Sequence, residues 1–206
     1  APALLSAIAE DTVTGIVVAN GAYQVSPAGA KRSVSLWIGA RFAGRTNPVT
    51  VRAETAGGVT FDGGGATSFG CISFEAGAHD QTWDGFRCAN GQATSTGVVP
   101  FGGYTGLAAP HHITMRNITI MASCTGRATT ASGSTWDHAF YFSQATGTGP
   151  HDSVLEDITV DGRGYLASAV HFDHGDATHP NASNVTVRRL HVTGTQQAII
   201  LWTPPV

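Results

Sequence analysis

Lysine is almost absent: Lys31 is the only one in 206 residues, and the 11 basic side chains stand against 14 acidic ones for a net charge of −3. A surface so poor in cations offers no electrostatic footprint for a polyanion, so nucleic acid is not expected as a partner. Charge of either sign is scarce at 12%, while apolar residues reach 42%. That balance argues against disorder driven by charge repulsion. Apolar runs are short, as in IVVA (16–19). Nothing approaches the ~20 residues that span a bilayer, so no membrane partner is expected. Cysteine is rare too. Cys71, Cys88 and Cys124 are too few for a disulfide scaffold, match no zinc spacing and leave at least one thiol unpaired in a monomer. The pairing stays open. An opening Ala1-Pro2-Ala3 fits either a mature end left by processing or a piece of a longer protein.

What the chain has instead is glycine, 26 residues, and an internal repeat. QTWDGFRCANG (81–91), ITMRNITIMAS (113–123), VLEDITV (154–160) and VTVRRLHVTG (185–194) align without gaps. Their equivalent residues Phe86, Ile118, Ile158 and Leu190 are separated by 32, 40 and 32 positions, and VTVRA (49–53) sets Val51 another 32 before Trp83. Self-similarity at such a period is the mark of a solenoid. Within each unit apolar residues alternate, skip one position and resume, which predicts two short strands meeting at a corner. Gly85, Asn117 and Asp157 at that corner tolerate the left-handed backbone that a sharp bend needs, and Arg189 suits it less.

A second strand type follows: CISFE (71–75), VVPFG (98–102), AFYFS (139–143), AVHFD (169–173) and AIILW (198–202). The second and fourth residues, from Ile72/Phe74 to Ile199/Leu201, are expected in the core. Cys88, equivalent to Ile120, Val160 and Val192, is expected there as well. Three strands per repeat predict an all-β chain, a parallel β-solenoid of about five to six coils forming a single domain over 1–206. Residues 1–12, with Leu4, Leu5 and Ile8, make a short N-terminal helical cap, and the C-terminal end after Thr203 has no visible cap.

The stretches IVVANGAYQVS (16–26) and NPVTVRAETAGGVTFDGGG (47–65), with the corner in ITMRNITI (113–120), resemble the right-handed parallel β-helix of the pectate-lyase-like superfamily. The resemblance covers nearly the whole chain. It implies a carbohydrate-directed role, usually extracellular, with ligand lying along the first sheet, here the strands of the second type. Family lyases generally use a cluster of lysine or arginine with calcium-binding carboxylates, and the galacturonan hydrolases of this fold use close aspartates. Neither set is found, and no adjacent Asp-Asp occurs. In size the chain is similar to the non-catalytic carbohydrate-binding modules with this fold.

The outward positions of the second strand type form columns: Ser73, Pro100, Tyr141, His171, Ile200 in the middle and Glu75, Gly102, Ser143, Asp173, Trp202 at the end. Neither contains lysine or arginine, which a groove for uronates would be expected to supply. Tyr141 and Trp202 offer flat surfaces to sugar rings, Ser143, His171 and Asp173 offer directional hydrogen bonds, and Trp136 and Asp137 could wall the groove. Stacking between coils is the competing role for Tyr141, and covering the last coil for Trp202.

The polar cluster HFDHGDATH (171–179) leaves room for Ca²⁺ in its loop, where His174, Asp176 and His179 lie, although ordinary loop polarity is the simpler reading and no metal site is assigned. No carboxylate pair meets hydrolase spacing; Glu75 and Asp173 fall three coils apart, ~14 Å. His171 and Tyr141, on successive coils, could serve as base and acid of a lyase. The other sheet's outward residues, Arg52, Asp84, Arg116, Glu156 and Arg188, alternate in sign and are expected to pair with each other.

The sequence thus points to an extracellular carbohydrate-binding β-helix module. It would hold a neutral plant polysaccharide of xylan or β-glucan type, within a parent protein carrying a catalytic domain. A polysaccharide lyase or glycoside hydrolase with an unrecognised catalytic set, and a structural or adhesive solenoid, are the alternatives.

Overall fold

In VTVRA the valines at 49 and 51 and Ala53 turn inward while Thr50 and Arg52 face out, and the same two-residue alternation recurs in VTFD (59–62). The computed structural model describes residues 2–24, 33–39, 42–63, 69–75, 77–91, 97–102, 108–122, 138–143, 148–173, 175 and 180–201. One helix, α1 (Pro2–Ala9), precedes thirteen strands. They are β1 (Gly15–Val18), β2 (Gly21–Gln24), β3 (Ser33–Ile38), β4 (Val49–Ala53), β5 (Val59–Asp62), β6 (Phe69–Phe74), β7 (His79–Asp84), β8 (Phe86–Gly91), β9 (Gly97–Phe101), β10 (His111–Ala122), β11 (His138–Phe142), β12 (His151–Phe172) and β13 (Ser183–Leu201). All belong to one strongly curled sheet whose paired neighbours run parallel.

The pairing falls into three ladders. The first joins β1, β4, β7 and the starts of β10, β12 and β13; the second joins β2, β5, β8 and the continuations of β10, β12 and β13. The third joins β3, β6, β9 and β11 to the ends of β12 and β13. Val51 pairs with Trp83, Trp83 with Met115, and Ile118 with Ile158 and then Leu190, which is the register that the repeat spacing predicts. The corner residues adopt left-handed backbone, Asn117 at φ 54°, Asp157 at 53° and Gly85 at 83°. Arg189 does so as well, at 53°, and its guanidinium is held by Glu156 and Asp157. That ion-pair anchor is why an arginine stands where a small residue was expected.

The curled sheet wraps an apolar interior with phenylalanine stacks. Phe74, Phe101, Phe142 and Phe172 occupy successive rungs of the third ladder with ring centroids 5.0, 4.4 and 4.9 Å apart. Ile199 and Leu201, expected in the core, are 44% and 70% exposed, because β12 is the only strand paired with β13 among the described residues. Cys88 is buried as expected, and it is bonded to Cys71. Cys71 is therefore not on the outer face, where strict alternation would put it; Val98, Ala139 and Ala169, at the same position on the next strands, are also buried.

The helix at the N-terminus packs Leu4 and Leu5 against the core and buries Ile8 completely. It is tied down by Arg45, 4% exposed, whose guanidinium donates to the carbonyls of Ile8, Glu10, Val13 and Asn47 at 2.6–3.1 Å. The Asp11 carboxylate accepts from the Thr46 hydroxyl and from the amides of Thr46 and Asn47, and these bonds lower its pKa to about 2. On the outside of the first ladder, Arg116 bonds Asp84 at 3.0 Å and Arg188 bonds Glu156 at 2.6 Å, the alternating-charge pairing expected there.

Candidate functional site

The third ladder carries the face that the sequence singles out. Its register runs Trp37, Ser73, then Pro100, Tyr141, His171 and Ile200, so the middle column is assembled as expected. The end column is set by backbone bonds between successive rungs: Glu75 N to Ile38 O, Gly102 N to Phe74 O, Ser143 N to Phe101 O and Asp173 N to Phe142 O, all 2.8–3.0 Å. A Cβ at Gly102 would lie 1.7 Å from the Ser143 hydroxyl oxygen, so a larger residue there would force the hydroxyl to turn away. Among the described residues of both columns there is no lysine or arginine, and Glu75 and Asp173 are the charged members.

The face is recessed. Tyr141, Glu75 and Asp173 are half-buried, whereas Ser73, Pro100, Ser143 and His171 are buried, the last at 2% exposure. The Tyr141 hydroxyl donates to Asp173 Oδ2 at 2.6 Å, a diagonal bond that ties the two columns together. Ser73 donates to Glu75 Oε1 at 2.7 Å, and Ser143 to the Phe101 carbonyl at 3.3 Å. The His171 ring lies 5.1 Å from that of Tyr141.

His138, which the sequence reading passed over, completes the cluster. It is 1% exposed, 4.1 Å from the His171 ring and stacked on Tyr141 at 5.5 Å with 9° between planes. The Ser168 hydroxyl gives its one proton to the Val170 carbonyl at 3.1 Å, so its lone pair receives Nδ1–H of His138 at 2.8 Å. This bond puts the proton of the neutral ring on Nδ1. Burial, reinforced by the neighbouring His171, pushes the His138 pKa down to about 3. The sequence signal for it is a histidine one position before AFYFS, where the equivalent strands carry Gly70, Gly97, Ser168 and Gln197.

The structure therefore brings Tyr141, Ser143, His171 and Asp173 together. Trp136, Asp137 and Trp202 lie outside the described residues, as do Cys124 and the loop residues His174, Asp176 and His179 considered for Ca²⁺. Among the described residues no group of three His, Cys, Asp or Glu side chains is arranged to hold a metal ion, and no helix is long and apolar enough to cross a membrane. No family model, curated protein or solved structure matches the chain.

Proposed function

We propose that the curled parallel sheet is a right-handed β-helix of about five to six coils, of the pectate-lyase-like kind, acting as an extracellular carbohydrate-binding module. Its ligand is a neutral plant polysaccharide of xylan or β-glucan type, lying across the rungs of the third ladder. One observation carries the reading: an aromatic ring, Tyr141, is fixed by the carboxylate of Asp173 on a face whose described columns hold no lysine or arginine. A ring presents an apolar surface to the C–H face of a sugar, and the adjacent carboxylate accepts from its hydroxyls. The buried His171, His138 and Ser143 support this pair from behind, and the Cys71–Cys88 disulfide suits an oxidising compartment.

A lyase is the second reading, favoured by the nearness of the Tyr141 and His171 rings, with Tyr141 as acid and His171 as base. Mixing the protein with xylan, β-glucan, cellulose, pectate and alginate, and assaying each supernatant for protein and for new sugar ends, separates the two. Depletion on a neutral glycan without release is expected. Tyr141→Ala should abolish depletion, and Tyr141→Phe, which keeps the ring, should weaken it about fivefold through loss of one hydrogen bond. Release of sugar ends would convert the module into an enzyme; depletion on pectate or alginate alone would overturn the neutral-ligand assignment.

A further inference from the structure

A second cluster lies away from this face, where each repeat enters the first ladder. His79, His111 and His151 pair in register on β7, β10 and β12, and their imidazoles stack with centroids 4.9 Å apart and planes within 1° and 5°. The residue after each histidine has left-handed backbone: Asp80 at φ 53°, His112 at 52° and Asp152 at 52°, with Asn184 at 49° on the next strand. The backbone crosses between repeats here too, through His111 N to Ala78 O at 3.1 Å and His151 N to Pro110 O at 3.3 Å.

The rungs differ in one respect. His79 Nδ1 bonds the Asp80 carboxylate and His151 Nδ1 bonds that of Asp152, each at 2.7 Å, but the middle histidine finds His112 where its neighbours find aspartate. His111 Nδ1 and His112 Nδ1 are 2.7 Å apart, a distance that requires a proton on one nitrogen and a lone pair on the other. The pair tolerates one added proton, on the donor ring's Nε2. A second must sit on the acceptor nitrogen and abolishes the bond.

We propose that this histidine stack is an acid-sensitive seam, in which protonation of the His111–His112 pair loosens the contact between the starts of β7, β10 and β12. A cation on His111 would lie between the rings of His79 and His151, with His112 against its edge; Asp80 of β7 and Asp152 of β12 are the carboxylates facing the cluster, and β13 contributes the uncharged Asn184. Burial first, then the charges of His79, His151 and His112, hold the His111 pKa below its ordinary value, with Asp80 opposing. The unfolded chain therefore binds this proton before the folded one does, and the seam weakens as pH falls below 6.5. Metal chelation by the stack is disfavoured by geometry, since parallel rings 4.9 Å apart keep their nitrogens too distant to share one ion.

His112→Asp tests the idea, because it gives the middle rung the carboxylate its neighbours have, on a backbone that aspartate already adopts at positions 80 and 152. Long-range ¹H–¹⁵N spectra follow each imidazole through a titration, and amide hydrogen exchange, corrected for its intrinsic pH dependence, follows opening. In the wild type, the opening constant at residues 111–112 should rise between pH 7 and 5 relative to that of the second ladder, by at most about tenfold per pH unit for each proton taken up. In His112→Asp the rise should disappear and His111 should protonate at higher pH. The same rise in both proteins, or none in the wild type, would overturn the proposal. His112→Asn, a residue type that accepts the left-handed backbone at Asn184, keeps the test readable if the aspartate variant fails to fold: it removes one of the two facing imidazoles and should show a smaller rise than the wild type.

Discussion

At His138 burial decides the charge. The ring sits among Tyr141, His171 and Ser168 with its one donated proton committed to the serine, and among the described residues no carboxylate bonds it to offset a positive charge. An unfolded histidine protonates near pH 6.5, whereas this one waits until about 3, so folding excludes a proton throughout that interval. The linkage sign follows: stability is intact above pH 6.5 and declines as pH falls, by up to about 1.4 kcal/mol per unit from this group alone. Urea unfolding at pH 7 and pH 5 should show that loss in the wild type and a smaller one in His138→Gln, which starts from a lower stability. An equal loss in both would mean that the acid sensitivity lies elsewhere.

The residues of the face were partly legible beforehand. Tyr141 and His171 were placed on one column by counting alone, because the position of a side chain in a parallel, in-register ladder depends only on its offset from the core phenylalanines. Burial was not legible: His171 lies on the expected column yet is 2% exposed, since cover comes from the whole fold and not from alternation. The stacked histidines were within reach of the sequence. His79, His111 and His151 are spaced by the same 32 and 40 positions as the corner residues, two or three places before each aligned segment begins.

Among the elements, α1 depends on a residue that no pattern revealed. Arg45 lies 35 or more positions from Ile8 and Glu10, and its partners are backbone carbonyls, which leave no trace in side-chain chemistry. Replacing it with methionine keeps much of the apolar stem but strips hydrogen bonds from four carbonyls, three of which, those of Ile8, Glu10 and Val13, belong to the segment that ends the helix and turns into β1. The expected cost is about 3 kcal/mol, concentrated at the N-terminus. Hydrogen exchange should show residues 2–13 opening ahead of the ladders; uniform loss of protection would show that Arg45 supports the core as a whole. The strands were more transparent than the helix's anchor. Long β12 was read as separate pieces, because its middle, Asp161–Tyr165, carries glycine and charge, which mark a corner without breaking the strand.

For the molecule as a whole, the disulfide is a covalent cross-link between ladders, added to the strands that run through them. Cys71 on β6 and Cys88 on β8 are both buried and their Cα atoms are 5.8 Å apart, so the bond links the third ladder to the second across the interior. Closing a segment of 17 residues restricts the unfolded chain by about 3 kcal/mol. Replacing both cysteines with alanine should lower the melting midpoint by roughly 6–12 °C for a chain of this length. An unchanged midpoint would mean that packing around the two sulfurs compensates fully. Here the composition misled by its scarcity: three cysteines suggested no scaffold, and one bond nonetheless joins two of the three ladders.

The near-constant separation between paired strands also bears on how the chain is made. Each repeat finds its partner one repeat earlier, 29 to 40 residues back in β10, β12 and β13, so no strand waits for a distant stretch of polypeptide. A chain emerging from the ribosome can dock each new repeat on the one already in place. The first template needs Arg45 to have emerged and gripped residues 8–13, and from there the molecule can grow in the order in which it is synthesised.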